Sequence, residues 1–293
     1  MNWDDVRVFL AVARAGQMLQ AGRRLGLNHA TVARRVGALE ATLKARLLDR
    51  RTTGCALTPA GEAFLEAAER MEAEVMNARA AVAETDVEVA GTVRIGAPDG
   101  FGTAFLAPRL GALLDRFPDL TVQLVPVPRS FSISRREVDL AVTIDRPEHG
   151  RLVTRKLVDY TLGLYASRAY VAAHGAPSRL SDLRQHRLVG YVDDLLFSPS
   201  LDYAREFDRN WLPRFECASA LGQAAAVRAG AGIGVLHAFV ARGDPDLVPV
   251  LEPRAIRRAY WTVQHESTRS IRRIGAVSDF ITAAVERERA IFS

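Results

Sequence analysis

Residues 25–39 read LGLNHATVARRVGAL, and the side chains there with chemistry to offer are Asn28, His29, Thr31, Arg34 and Arg35. Arginine presents a planar fork of donors that fits the two acceptors on a guanine edge, and threonine and histidine can meet base edges or phosphate oxygens. The set is suited to gripping something anionic. Stepping ~100° per residue from Val32 puts Val36, Leu39 and Leu43 within about 40° of it, a stripe for burial. Thr31, Arg34, Arg35 and Ala38 fall between roughly 200° and 300° on the same wheel. The spacing predicts a helix that buries one flank and turns both guanidinium groups outward, against the blander alternative of a solvated face.

Such a helix needs elements to position it. Val6, Phe9, Leu10 and Ala13 follow helical spacing and stop at Gly16, and Met18, Ala21, Gly22 and Leu25 repeat the pattern and stop at Gly26. Asn28 is placed as the N-cap of the third helix. Two helices joined by a tight Gly-Leu turn, the second capped and polar on its outer flank, make a helix-turn-helix, whose second helix enters the major groove of double-stranded DNA. Beyond it, Arg50, Arg51, Thr52 and Thr53 lead into Gly54 and a short extended Cys55-Ala56-Leu57. This reads as a hairpin wing that holds phosphate or reaches a minor groove, with a plain surface turn as the competing account. Thr58 and Pro59 then form a helix start. In that helix Phe64, Ala68, Met71, Val75, Ala78 and Val82 alternate steps of four and three, a narrow apolar seam. The seam wants a partner, either the body of its own chain or a second copy that pairs two heads for two half-sites.

Charge is concentrated in the same place. Residues 1–60 hold ten Lys and Arg against four Asp and Glu, and the remaining 233 hold 29 against 30, so the excess behind the net charge of +5 lies at the front. At 293 residues with 48% apolar and 25% charged content, a soluble, folded chain of two or three domains is expected. The opening MNWDDVRVFL is acidic where a secretory signal is basic, and no run approaches the ~18 apolar residues of a membrane span, so a cytoplasmic location without a membrane partner is expected. Cys55 and Cys217 stand far apart with no second ligand at metal-like spacing, which predicts reduced packing residues and no metal or other cofactor.

Enzyme readings weaken on spacing. GAGIGVL at 230–236 follows a helical pattern and enters a strand, the reverse of a dinucleotide fingerprint. The sequence has no phosphate loop, no Gly-x-Ser-x-Gly elbow and no His-Glu-x-x-His, and Asp193-Asp194 is its nearest approach to paired carboxylates. The expectation is that the chain is not an enzyme. Past residue 90, short apolar runs alternate with helical patterns: strands at Val93–Ile95, Val122–Val127, Leu140–Ile144, Leu162–Tyr165, Leu188–Val192, Ile233–Leu236, Leu247–Leu251 and Tyr260–Val263, helices at about 103–116, 167–173, 219–229 and 270–289. Alternation of this kind predicts α/β units with a mainly parallel sheet.

Residues 3–66 resemble the DNA-binding domain of the LysR-type transcriptional regulators, through VRVFLAVARAG, AGRRLGLNHATVARRVGALEATLKARLLDR and LTPAGEAFL. GTVRIGAP at 91–98 is similar to the opening of that family's ligand-binding part, so the likeness runs in order along the chain. The chain departs from the family in Gln17-Met18 for the common Ser-Phe, in Gly22 for Ala, and in Asn28-His29-Ala30 where the recognition helix more often begins Ser-Gln or Ser-Pro. The resemblance implies an N-terminal all-α winged helix-turn-helix in residues 1–58, a linker and dimerisation helix in 59–88, and an α/β effector-binding domain in 91–293. That domain would comprise two periplasmic-binding-protein-like subdomains, about 91–161 with 265–293 and about 162–264. It further implies a sequence-specific transcription regulator, homodimeric or homotetrameric, acting on operator or promoter DNA and modulated by a small-molecule effector in the cleft. Two other classes stand against it: a cytoplasmic ligand-binding module without a DNA role, and an enzyme with a basic N-terminal domain.

Ligands in open α/β sheets collect beyond the carboxyl ends of strands, near helix N-termini. The effector candidates are therefore Asp99, Gly100, Gly102 and Thr103 after the first strand, Arg129 and Ser130 after the second, and Thr143 at the end of the third. Tyr191, Asp193 and the helix-starting Ser219 complete the set. Each is weighed against a plain turn or cap role.

Overall fold

The computed structural model describes residues 1–51, 54–82, 89–127, 137–147, 151–269 and 271–293. The chain divides into two compact units, one built on Met1–Val87 and the other on Glu88–Ile133, Val138–Glu266 and Arg272–Ser293. The first contains α1 (Trp3–Ala15), α2 (Met18–Leu25), α3 (His29–Leu43), β1 (Leu48–Arg51), β2 (Gly54–Leu57) and α4 (Pro59–Val82). Local chemistry sets the boundaries. Asn2 accepts from the Asp4 N–H to start α1, and Gly16 ends it in the left-handed region at φ 66°. Gly26 ends α2 in the same way, and Asn28 Oδ1 accepts from the Thr31 N–H at 2.8 Å to start α3. Thr58 Oγ1 accepts from the Gly61 N–H at 3.0 Å at the head of α4, with Pro59 in the first helical position.

Val6, Phe9, Leu10, Met18, Ala21, Val32, Val36 and Leu39 are buried together between the three helices. Each large side chain removed from water there contributes about 1.5–3 kcal/mol, which is what holds α3 in place against its own ordering entropy. Strands β1 and β2 pair antiparallel from Leu48 opposite Leu57 to Arg51 opposite Gly54. The Cys55 N–H donates to the Gly16 carbonyl at 2.7 Å and ties the root of this hairpin to the end of α1. The tip residues Thr52 and Thr53 lie outside the described residues.

The second unit contains β3 (Gly91–Ala97), β4 (Leu120–Pro126), β5 (Leu140–Thr143), β6 (Leu152–Ser167), β7 (Leu188–Gly190), β8 (Phe215–Glu216), β9 (Ile233–His237), β10 (Leu247–Pro249) and β11 (Ala255–His265). Its helices are α5 (Leu110–Arg116), α6 (Arg168–His174), α7 (Ala204–Phe207), α8 (Ala220–Arg228), α9 (Ala238–Ala241) and α10 (Arg272–Arg287). Each expected strand is present, and β8 is additional. The sheet runs β4-β3-β5-β11-β6-β9-β7-β8, with β10 on β6. The expectation of a mainly parallel sheet is corrected: β3 pairs parallel with β4 and β5, and β7 with β8 and β9, but β6 pairs antiparallel with β9, β10 and β11, and β11 antiparallel with β5.

The reason is two long strands that run between lobes. Trp261–Gln264 of β11 pair with β5 in the first lobe, whereas Ala255–Tyr260 pair with the second half of β6, whose Leu162–Tyr165 pair with β9 in the second lobe. The register of β11 on β6 slips between Tyr260 and Trp261. Helix α10 buries Ile274, Val277, Ile281 and Val285, and it packs on β3 and β6. The first turn after β3, Gly100–Leu106, is wound with i to i+5 bonding, the Ala107 N–H reaching the Gly102 carbonyl. Such wide turns recur beside ligand sites because they re-aim the residues that follow a strand.

Candidate functional site

On α3 the predicted flanks are realised with one change. Val32 and Val36 are fully buried, and Asn28, His29, Arg34 and Ala38 are exposed, with Thr31 half-buried. Arg34 has no ion pair among the described residues. Arg35 does not share its freedom: its Nη1 donates to Asp5 Oδ1 at 3.2 Å and lies 3.9 Å from Asp4 Oδ2. The two acids form the first turn of α1, where negative charge is favoured by the helix dipole, so Arg35 closes a bridge between α1 and α3. The wheel gave the direction of Arg35 from its own axis but not what the neighbouring helix presents to it; Asp4-Asp5 in the sequence was the available signal. Arg50 and Arg51 lie on β1 with their side chains outside the description, and Thr52 and Thr53 lie outside the described residues. Arg23 and Arg24, in the last turn of α2 beside the turn into α3, are exposed and without an ion pair among the described residues. Sequence reasoning passed over them, although AGRRLG carries both.

The seam on α4 is divided. The Phe64 ring meets Phe9 edge-on at 5.4 Å between centroids, and Ala68 has no exposed surface, so both are corrected from a dimer seam to the core of the head itself. Arg14 of α1 holds Glu72 of α4 through both guanidinium nitrogens, at 3.2 and 2.6 Å, and fixes the same junction. Met71 and Val75 are half-buried and Ala78 is exposed, while the side chain of Val82 is outside the description.

In the second unit a cleft of about 300 Å³ opens where the two lobes meet. Asp99 and Gly100 line it from the turn after β3, Tyr160 from β6, Tyr191 from the loop after β7, Ala220 from the start of α8 and His237 from the end of β9. The lobes are latched by carboxylates. Ser219 Oγ donates to Asp99 Oδ2 at 2.6 Å and the Leu221 N–H reaches the same oxygen at 3.3 Å. Asp145, after β5, accepts from Ser198 Oγ and Ser200 Oγ, each at 2.5 Å. His237 stacks on Tyr160 at 5.3 Å, and Tyr160 on Tyr260 at 4.1 Å. Burial pushes the Tyr160, Tyr191, Tyr203 and Tyr260 phenols up and holds His237 down at about 4, with nearby Asp99 only partly opposing the latter. At neutral pH the imidazole is therefore uncharged.

Of the effector candidates, Asp99, Gly100 and Tyr191 line this cleft, and Ser219 holds Asp99 from its rim. Gly102, Thr103 and Thr143 do not. A Cβ on Gly102 would stand 2.8 Å from Pro126 Cβ, so that glycine serves the packing of the turn on β4. Thr103 is exposed, and Thr143 Oγ1 donates to the Asp145 carbonyl. Asp193 pairs with Arg205 and lines a neighbouring cavity of about 390 Å³. Arg129 and Ser130 lie outside the described residues. Tyr160, Phe197 and His237 were missed; His237 ends a strand and obeys the rule used for the others. No cluster of three metal-ligating side chains occurs among the described residues, and none of their helices is long and apolar enough to cross a membrane.

A capped helix displayed by a winged helix-turn-helix head, followed by a two-lobed α/β unit with a cleft, defines the architecture. The chain belongs to the LysR family: residues 3–62 match the family model described as a bacterial regulatory helix-turn-helix protein, lysR family, and residues 87–286 match the LysR substrate binding domain. It is 31% identical over 184 residues to an HTH-type transcriptional regulator of Xanthomonas campestris pv. campestris, covering 63% of this chain and 54% of that protein. It is 33% identical over 180 residues to the HTH-type transcriptional regulator DmlR of Escherichia coli, covering 61% and 59%. The chain thus spans little more than half the length of these relatives. Among solved structures, a full-length OxyR variant from Pseudomonas aeruginosa superposes with a TM-score of 0.73 at 18% identity, covering 96% of this chain and 98% of that one. CrgA, a LysR-type transcriptional regulator from Neisseria meningitidis, does so with a TM-score of 0.60 at 23% identity, covering 97% and 98%. At these identities the likeness speaks for the fold.

Proposed function

We propose that the chain is a sequence-specific transcription regulator that binds operator or promoter DNA through α3 and is modulated by a small effector held in the cleft. The observation that carries the reading is the outward flank of α3: Asn28, His29 and Arg34 exposed, on a helix whose other flank is buried and whose start is capped. A helix so displayed presents its first turns to base edges, and an arginine there can fork onto guanine. The hairpin beside it supplies a second grip through Arg50, Arg51, Thr52 and Thr53. Two heads would be paired through the distal part of α4, from Met71 through Val75 and Ala78 to Val82, in a homodimer or homotetramer. No part of the chain is assigned a catalytic role, and its place of action is the cytoplasm, where DNA is.

Effector and DNA are coupled because the cleft sits between lobes joined by the two long strands β6 and β11. A ligand that prefers one closure shifts the population of that closure, and a closure that changes how the copies pack changes the spacing of the heads. The test is a gel-shift titration of the full chain on the DNA upstream of its own gene, repeated at two salt concentrations. Retention of a discrete complex at the higher salt, lost on scrambling the sequence, is the expected result. Binding that is equal on scrambled DNA overturns the reading.

A further inference from the structure

The charge of the cleft carries information about its ligand, on the reading that the cleft is an effector site. The start of α8 is the place in the second lobe where an anionic ligand would find donors. Two of those donors, the Leu221 and Gly222 N–H groups, are already engaged. Asp99 Oδ2 accepts from Ser219 Oγ at 2.6 Å and from the Leu221 N–H at 3.3 Å, and Ser219 Oγ in turn accepts from the Gly222 N–H at 3.0 Å. A carboxylate of the chain itself, only 9% exposed, thus stands where a ligand carboxylate would go. A second anion there would meet repulsion from Asp99.

The remaining chemistry points the other way. Asp99 Oδ1 takes no hydrogen bond among the described residues, and Asp99 is the one charged side chain among the described residues that line the cleft. Tyr191 and Phe197 contribute aromatic rings to the lining, and aromatic faces attract cations, while the Tyr160 ring is stacked on His237 and Tyr260. His237 is uncharged at neutral pH, because burial holds it at about 4, so it does not offset the acid. We infer that the cleft takes a small ligand with a protonated amine on an apolar body, the ammonium placed at Asp99 and the body against the aromatic side chains, and that it discriminates against carboxylates.

The experiment uses the full chain at pH 7.5 and matched probes that differ only in charge: tyramine against 4-hydroxyphenylacetate, and butylamine against butyrate. Binding is followed by saturation-transfer NMR and calorimetry for the parent, for Asp99→Asn and for Ser219→Ala. In the parent, at least one amine is expected to bind tenfold or more tightly than its matched acid. Asp99→Asn should erase that preference while melting cooperatively, and Ser219→Ala, which keeps the charge and removes its tether, should retain it. Acids that bind the parent as tightly as amines overturn the charge assignment and leave the effector cleft standing. Amine preference that survives Asp99→Asn overturns the role given to Asp99. No binding of any probe to parent or variants overturns the amine assignment, and a chain that also fails to respond to a broad metabolite panel loses the effector cleft with it.

Discussion

Arg34 on α3 and Asp99 in the cleft are the charges to which the proposed DNA and effector roles are assigned, and their surroundings are opposite. Arg34 is exposed and has no ion pair among the described residues, whereas Asp99 is nearly buried and bonded to Ser219 and to the start of α8. A surface that meets a polyanion can leave its cations hydrated until the partner arrives, since release of counterions then drives binding. A cleft walled by aromatic rings cannot, because an unpaired charge in a dry site is expensive. The chain therefore ties one oxygen of Asp99 to Ser219, and both oxygens of the nearby Asp145 to Ser198 and Ser200, before any ligand is present. Substitutions on the α3 flank should change DNA affinity without changing stability, and substitutions around the cleft should register first in stability and its pH dependence.

The largest expected effect tests the support beneath α3. Phe9 is fully buried and meets Phe64, so Phe9→Ala should destabilise the head by about 3–5 kcal/mol in denaturant unfolding, and a loss below about 1 kcal/mol would mean that α3 is held by something else. Next is the pH response of the cleft. His237 titrates near 6.5 when unfolded and at about 4 in the fold, so between those values the unfolded chain binds the extra proton. Stability should fall by about 3 kcal/mol as pH drops from about 6.5 to about 4, with no further loss from this group below that. His237→Phe should flatten that part of the profile, and identical slopes in parent and variant would remove His237 from the account. Asp145→Ala leaves the hydroxyls of Ser198 and Ser200 without their acceptor and should cost about 1–2 kcal/mol, read as a lower melting temperature of the second unit. The smallest effect is that of Arg35→Ala. Its half-exposed bridge to Asp5 is worth about 1 kcal/mol at most, and an unchanged melting temperature joined to a large loss of DNA affinity would return Arg35 to the outward flank.

The head was legible in the sequence because its signals are local. Gly16, Gly26, Asn28, Thr58 and Pro59 punctuate helices within a few residues of where they act, and the stripe of Val32, Val36 and Leu39 needs only the helical period. What escaped is what depends on a neighbour: the Arg35 bridge to Asp5, 30 residues away, and the capture of Phe64 and Ala68 by α1. The cleft was legible only at strand ends such as Asp99, Gly100 and Tyr191. Tyr160 sits in the middle of β6, and its side chain reaches the cleft because β6 and β11 cross between lobes, a topology that strand periodicity does not encode. The same crossing is why an apparently parallel alternation folds as a mixed sheet.

The most direct test of the central claim compares Arg34→Ala with Arg35→Ala in parallel gel-shift and thermal-melting measurements on the full chain. Arg34→Ala is expected to lose about 1–3 kcal/mol of specific DNA affinity, roughly five- to 150-fold, with an unchanged melting temperature. An Arg34→Ala chain that binds the same DNA as tightly as the parent would contradict the claim.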